Sequence, residues 1–211
     1  MRRRLQHRRR ALAPLLSAAV AASLALACAG LGGRGSSAVV TRTPDGFSIT
    51  DAARPRLGLR GEFGDAHEAL AAGDAERAIE LLEAITESDP DFAAPHINLG
   101  IAYREVGRYE ASLASLETAI AKSPRHPVAH NELGIAYRRL GRFEEARDAY
   151  RRALDLQPSF HYARKNLAIL CDLFLADLEC ALENYAAYRA AVPDDAEVGI
   201  WIADLESRSE Q

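Results

Sequence analysis

Residues 93–126, AAPHINLGIAYREVGRYEASLASLETAIAKSPRH, are followed at once by residues 127–160, PVAHNELGIAYRRLGRFEEARDAYRRALDLQPSF. Laid over one another, they match in register at His96/His130, Leu99/Leu133, Gly100/Gly134, Tyr103/Tyr137, Gly107/Gly141, Tyr109/Phe143, Leu116/Tyr150, Ala119/Ala153 and Pro124/Pro158. Working outward, Pro90, Pro124, Pro158 and Pro193 stand 34, 34 and 35 residues apart, so the period extends in both directions. A period of that length marks a stacked helical array, whose units cannot bury their apolar faces alone. Gly100 and Gly134 fall in the middle of a first helix, where glycine costs about 1 kcal/mol against alanine. Close approach of a second helix is the compensating gain. Ala119, Ala146 and Ala153 offer the small surface on that second helix, and Tyr103, Tyr137, Leu116 and Tyr150 fill the space between the pair. Gly107 and Gly141 allow the left-handed turn that ends the first helix, and each proline stops the second.

The flanking units keep the period but lose some of its residues. Leu59 to Phe92 retains Ala66, Gly73, Ala78, Leu82 and Pro90 without the Leu-Gly pair. His161 to Asp195 retains Leu167, Ala168, Ala181 and Tyr185, puts Cys171 where the central units have tyrosine, and carries one extra residue near the turn. Atypical end units are expected where a solenoid meets water. Ala196 to Arg208, with Asp195 as N-cap and Ile200, Trp201 and Leu205 on one apolar side, reads as a capping helix.

This pattern of Leu-Gly, Tyr, Gly, aromatic, paired alanines and proline resembles the tetratricopeptide repeat family, with His96 and His130 in place of the usual tryptophan and Ser112 in place of one alanine. The resemblance implies an all-α fold, a right-handed α-solenoid of about four helix-turn-helix units, closed by the capping helix. Four segments follow: 1–27 an export signal, 28–58 a tether with a candidate hairpin, 59–195 the array, and 196–211 the capping helix and tail.

Six arginines, Arg2, Arg3, Arg4, Arg8, Arg9 and Arg10, precede the acid-free, alanine- and leucine-rich stretch Ala11 to Ala27. That is the layout of an export signal; a membrane-spanning helix is the other reading, opposed by Pro14 and the short apolar core. Leu24-Ala25-Leu26-Ala27-Cys28 resembles the lipobox of bacterial lipoproteins, which implies acylation of Cys28 as the mature N-terminus. Ala25 and Leu26 depart from the preferred residues, and cleavage after Ala27 without acylation is the alternative. Gly30 to Ser37 reads as a flexible tether. Val39 to Thr43 and Phe47 to Thr50 flank Pro44-Asp45-Gly46, a turn sequence, so this stretch is either a small hairpin or further linker.

The 211-residue chain carries a formal charge of -4. Removing the signal takes six arginines and no acid, leaving about -10, which argues against nucleic acid as a partner. No phosphate loop and no nucleophile with a base close in sequence is present, and no metal or cofactor is expected. His96 and His130 recur at equivalent positions and read as packing residues; His126 and His130 straddle a loop and a helix start, which makes a poor metal pair. Cys171 and Cys180 face one another across a helix pair, so they either form a disulfide or are two small buried residues.

In the family that the array resembles, first helices line a concave groove. One groove position is isoleucine in three units, Ile101, Ile135 and Ile169, surrounded by Ile97, Asn98, Arg104, Asn131, Arg138, Arg139, Tyr162, Lys165 and Asn166. An apolar floor with basic and amide edges, diluted by Glu105, Glu132 and Asp172, suits a protein or peptide ligand with apolar anchors and acidic flanks. The other reading is that the isoleucines pack on neighbouring helices and the charges are solvated. The resemblance implies a non-catalytic, membrane-tethered adaptor or scaffold on the outer membrane facing the periplasm, serving pilus or secretin assembly or TonB, Tol or Exb-type machinery. A soluble periplasmic enzyme, or an accessory subunit of one, is the alternative, and it requires a site that the residues do not display.

Overall fold

The computed structural model describes residues 38–43, 46–51 and 57–210, with side chains from Gly58 to Glu210. The export signal, Cys28, the glycine-serine tether and the Pro44-Asp45 turn lie outside the described residues. Strands β1 (Ala38–Thr43) and β2 (Gly46–Asp51) pair antiparallel, from Ala38 opposite Asp51 to Thr43 opposite Gly46. A 3-10 turn at Leu57–Leu59 leads into the helices α1 (Arg60–Ala71), α2 (Ala75–Ser88), α3 (Ala93–Glu105), α4 (Tyr109–Lys122), α5 (Pro127–Arg139), α6 (Phe143–Leu156), α7 (His161–Leu173), α8 (Leu178–Ala191) and α9 (Ala196–Ser209). The first eight pack as consecutive antiparallel pairs stacked into an α-solenoid, and α9 lies on α8. The first helices of successive units also meet one another, α1 with α3, α3 with α5 and α5 with α7, more closely than the second helices do. They therefore form the inner row.

The repeat residues do what their chemistry requires. A Cβ on Gly100 would stand 2.5 Å from Cγ of Leu116, and one on Gly134 would stand 2.5 Å from Cε1 of Tyr150. Real Cβ atoms do not approach so closely, so these glycines set the spacing within their pairs. Gly73, Gly107 and Gly141 turn the chain with φ of 78°, 77° and 75°. The fourth turn has no glycine, and Ala176 takes the left-handed conformation there at φ 53°. Each second helix ends two residues before its proline. His96 Nε2 donates to the carbonyl of Pro90 at 3.2 Å, and His130 Nε2 to that of Pro124 at 2.9 Å. The histidine that replaces the usual aromatic thus straps α3 and α5 to the loops before them.

Asp195 caps α9 by accepting from the amide of Val198 at 3.4 Å. The buried stripe of that helix is Val198, Ile202 and Leu205, with Trp201 set against Tyr185 at 5.5 Å between ring centroids. Ile200, expected on the apolar side, is 69% exposed. At about 100° per residue it stands on the flank opposite Val198 and Ile202, so α9 is turned from the expected orientation.

Candidate functional site

The inner row carries the expected ligand-facing residues on α3, α5 and α7. Ile101, Ile135 and Ile169 lie half-buried on successive helices, each resting on the core through part of its side chain. Ile97 and Asn131 are each only 3% exposed. They are corrected from ligand contacts to inter-unit packing, because the next first helix closes over that position. Asn98, Arg104, Arg138, Lys165 and Asn166 are half-buried, and Arg139 and Tyr162 are exposed.

Most of the charge is already matched within the protein. Arg104 Nη2 lies 2.9 Å from Glu105, and its Nε lies 3.3 Å from Glu132. Burial pushes the Glu132 carboxyl up from its ordinary range, against the pull of Arg104 and of Asn131, whose amide donates to it at 3.1 Å. The Asn166 amide donates to the Asn131 oxygen at 3.0 Å, joining α7 to α5. Lys165 lies 2.8 Å from Asp195 and beneath the rings of Tyr188 and Trp201, joining α7 to the start of α9. Burial alone would lower the Lys165 ammonium, but the bond to Asp195 holds it above its ordinary value. Asp172 is taken by Arg208 at 2.9 Å.

The broadly basic edge expected from the sequence is thereby reduced to Arg138 and Arg139. Arg138 stands 5.9 Å from the ring centre of Phe174, and it moderates the rise that burial imposes on the Tyr150 hydroxyl, which reaches about 12. Arg139 has no carboxylate partner among the described residues. Sequence reasoning missed two exposed apolar side chains at the end of α7, Leu173, 67% exposed, and Phe174, 41% exposed, beside Arg138 and tilted against Phe143 at 4.9 Å between ring centroids. Leu173 was discoverable: it is one helical turn beyond Ile169, in the unit position held by Glu105 and Arg139. Tyr162, Ile169 and Leu173 form a single stripe along α7, with spacings that keep one helix face. At the opposite end of the row, Ile101 borders a cleft of about 540 Å³ whose rim includes Asp74, Glu76 and Glu105.

Cys171 and Cys180 are joined by a disulfide between the last turn of α7 and the first of α8. Donor atoms of Cys171, Asp177 and Cys180 lie within 4.8 Å of one another. Both sulfurs are spent in the bond, so the group offers no thiolate to a metal. Among the described residues, no helix is long and apolar enough to cross a membrane.

Two tetratricopeptide repeat family models match the chain, over residues 97–159 and 69–117. None of the curated proteins matches it. Among solved structures, a thermophilic tetratricopeptide repeat protein from Thermus thermophilus, TTC0263, is similar at 26% identity and a TM-score of 0.58, covering 66% of this chain and 77% of that one. The MamA protein of Desulfovibrio magneticus RS-1 is similar at 16% identity and a TM-score of 0.65, covering 74% and 88%. The first repeat domain of Spaghetti (RPAP3), bound to an HSP90 peptide, is similar at 21% identity and a TM-score of 0.53, covering 55% and 91%.

Proposed function

The chain belongs to the tetratricopeptide repeat family, and from that premise we propose that it is an envelope-anchored adaptor that holds a protein or peptide ligand on its inner row. The observation that carries this reading is the α7 stripe of exposed Tyr162, half-buried Ile169 and exposed Leu173, with Arg138 and Arg139 on the adjoining helix α5, the latter without a carboxylate partner among the described residues. Apolar side chains half open to water, next to such a cation, fit a segment that supplies apolar anchors and a carboxylate. A solved repeat domain of this fold holding a peptide supports the ligand class. The ligand belongs to a cell-envelope assembly of the pilus, secretin or TonB, Tol and Exb kind, with the protein tethered through an acylated Cys28 on the outer membrane. A disulfide supports export, since such bonds persist in oxidising compartments.

Two experiments separate the parts of this reading. Ile135→Asp places an unpaired charge against the apolar floor and should weaken capture of envelope proteins at least tenfold, about 1.4 kcal/mol. Arg138→Glu should give a loss that shrinks at high salt. Both variants must show wild-type circular dichroism; folded variants that capture the same partners as wild type place recognition elsewhere. For the anchor, Cys28→Ser should release the protein from membranes and abolish fatty-acid labelling. Unchanged membrane association of that variant, with no label on wild type, removes the lipid tether from the proposal.

A further inference from the structure

The fourth unit departs from its neighbours at three linked places. In the second and third units, Tyr103 and Tyr137 reach back to Glu83 and Glu117 on the preceding second helix, and a left-handed glycine makes the turn. In the fourth unit the tyrosine is Cys171, the left-handed residue is Ala176, and the turn is longer by one residue. What holds this turn is the bond from Cys171 to Cys180, together with the amide of Asp177 donating to the Cys171 carbonyl at 2.9 Å.

The two sulfurs differ in environment. Cys171 is fully buried in the core, whereas Cys180 is half-buried and lines an open cleft of about 620 Å³ together with Arg151, Leu154, Arg164, Glu183 and Asn184. Nδ2 of Asn184 lies 3.7 Å from the Cys180 sulfur, and Arg164 holds the other end of that amide by donating to its oxygen at 3.3 Å. Cys180 also stands in the first turn of α8, three residues after the cap Asp177, whose carboxylate accepts from the Cys180 amide at 3.1 Å. One sulfur is therefore reachable from water, between the Asn184 amide and the Asp177 carboxylate, while its partner is shielded.

We propose that Cys180 is a thiol–disulfide exchange site, entered through the Arg151–Arg164 cleft, and that reduction there unlocks the fourth unit while the first three stay folded. The co-reactant is a dithiol. Its thiolate attacks Sγ of Cys180, the sulfur–sulfur bond breaks, and Cys171 leaves as a thiolate that takes up a proton. The second thiol of the reductant then attacks the mixed disulfide and releases Cys180, so that two electrons pass from the dithiol, which leaves as its own disulfide. With the bond gone, the turn retains a left-handed alanine and no tyrosine strap, and residues 172–179 loosen, taking Leu173 and Phe174 with them. The claim stands independently of what the inner row binds.

The experiment uses the full chain with dithiothreitol as the dithiol, thiol titration under native conditions, and hydrogen exchange read by peptide. Wild type should yield two titratable thiols more after reduction than before it, Cys28 being counted in both, without unfolding. Exchange across residues 172–179 should then accelerate at least roughly tenfold, with residues 93–156 unchanged, and the double variant Cys171→Ala, Cys180→Ala should reproduce the reduced pattern without reductant. A bond that native protein does not surrender to dithiothreitol overturns the exchange site. Unchanged protection of 172–179 in both reduced protein and double variant overturns the unlocking, as does loss of protection throughout the array.

Discussion

Adding a single carbon to Gly134 would place it 2.5 Å from one ring atom of Tyr150 and 2.6 Å from another, and Tyr150 is fully buried with no space to retreat. Gly134→Leu should therefore destabilise the array by roughly 1 to 3 kcal/mol, read from denaturant or thermal melts. A melting temperature equal to that of wild type would show that the contact can yield. The reverse case is Ala176, an L-residue held at φ 53°. Ala176→Gly should raise stability by roughly 0.5 to 1 kcal/mol, because glycine enters that region without the Cβ clash. The glycine was legible in the sequence for a physical reason: a mid-helix glycine is unfavourable unless something close-packed requires it. Ile97 was not legible in the same way. Whether a first-helix side chain meets a ligand or the next unit depends on how far the following helix leans over it, and spacing does not encode that angle.

The histidine straps make a prediction about whole helices. Burial pushes His96 and His130 below the ordinary value of 6.5, and His161 likewise, so the folded chain keeps them neutral at a pH where the unfolded chain protonates them. Below about pH 6.5 the unfolded state therefore binds more protons, and stability falls as pH drops until the folded-state pKa values are passed. The raised carboxyl of Glu132 acts in the opposite sense, which is why the comparison must be between proteins. The double variant His96→Asn, His130→Asn should lose less melting temperature than wild type between pH 7.5 and 5. Equal losses would show that the straps do not carry the dependence. Capping was readable at Asp195, where an acid precedes an amphipathic run, yet the rotation of α9 was not, since Ile200, Trp201 and Ile202 present three candidate faces within one turn. The charge on the inner helices was misread for a related reason. Lys165 and Asp195 are separated by 30 residues and Asp172 and Arg208 by 36, about one unit in each case, and become neighbours only when units stack.

Across the whole array, each unit touches only its neighbours, so stability is close to a sum of unit and interface contributions. The ends should be the least protected part. α1 buries a single residue, Ala66, and its N-cap Leu59 offers no side-chain hydrogen bond, whereas α5 and α6 lie within the two best-formed units. Hydrogen exchange should be fastest in α1 and slowest in α5 and α6; uniform protection would mean that the array unfolds as one block. The division into four units and a terminal helix was legible because a period of constant length survives substitution at single positions. The fourth unit's bond was only half legible, since a Cys pair in facing positions packs equally well as two thiols. The inner helices are cross-tied from α3 to α9 by Arg104 to Glu132, Asn166 to Asn131 and Lys165 to Asp195, while the outer helices stand farther apart. Such a strip resists stretching along its tied edge and yields along the other, so it flexes like a hand fan about its rivet. On the proposed reading of the inner row, a bulky guest would be met by spreading the outer ribs while the spacing of the inner residues is kept.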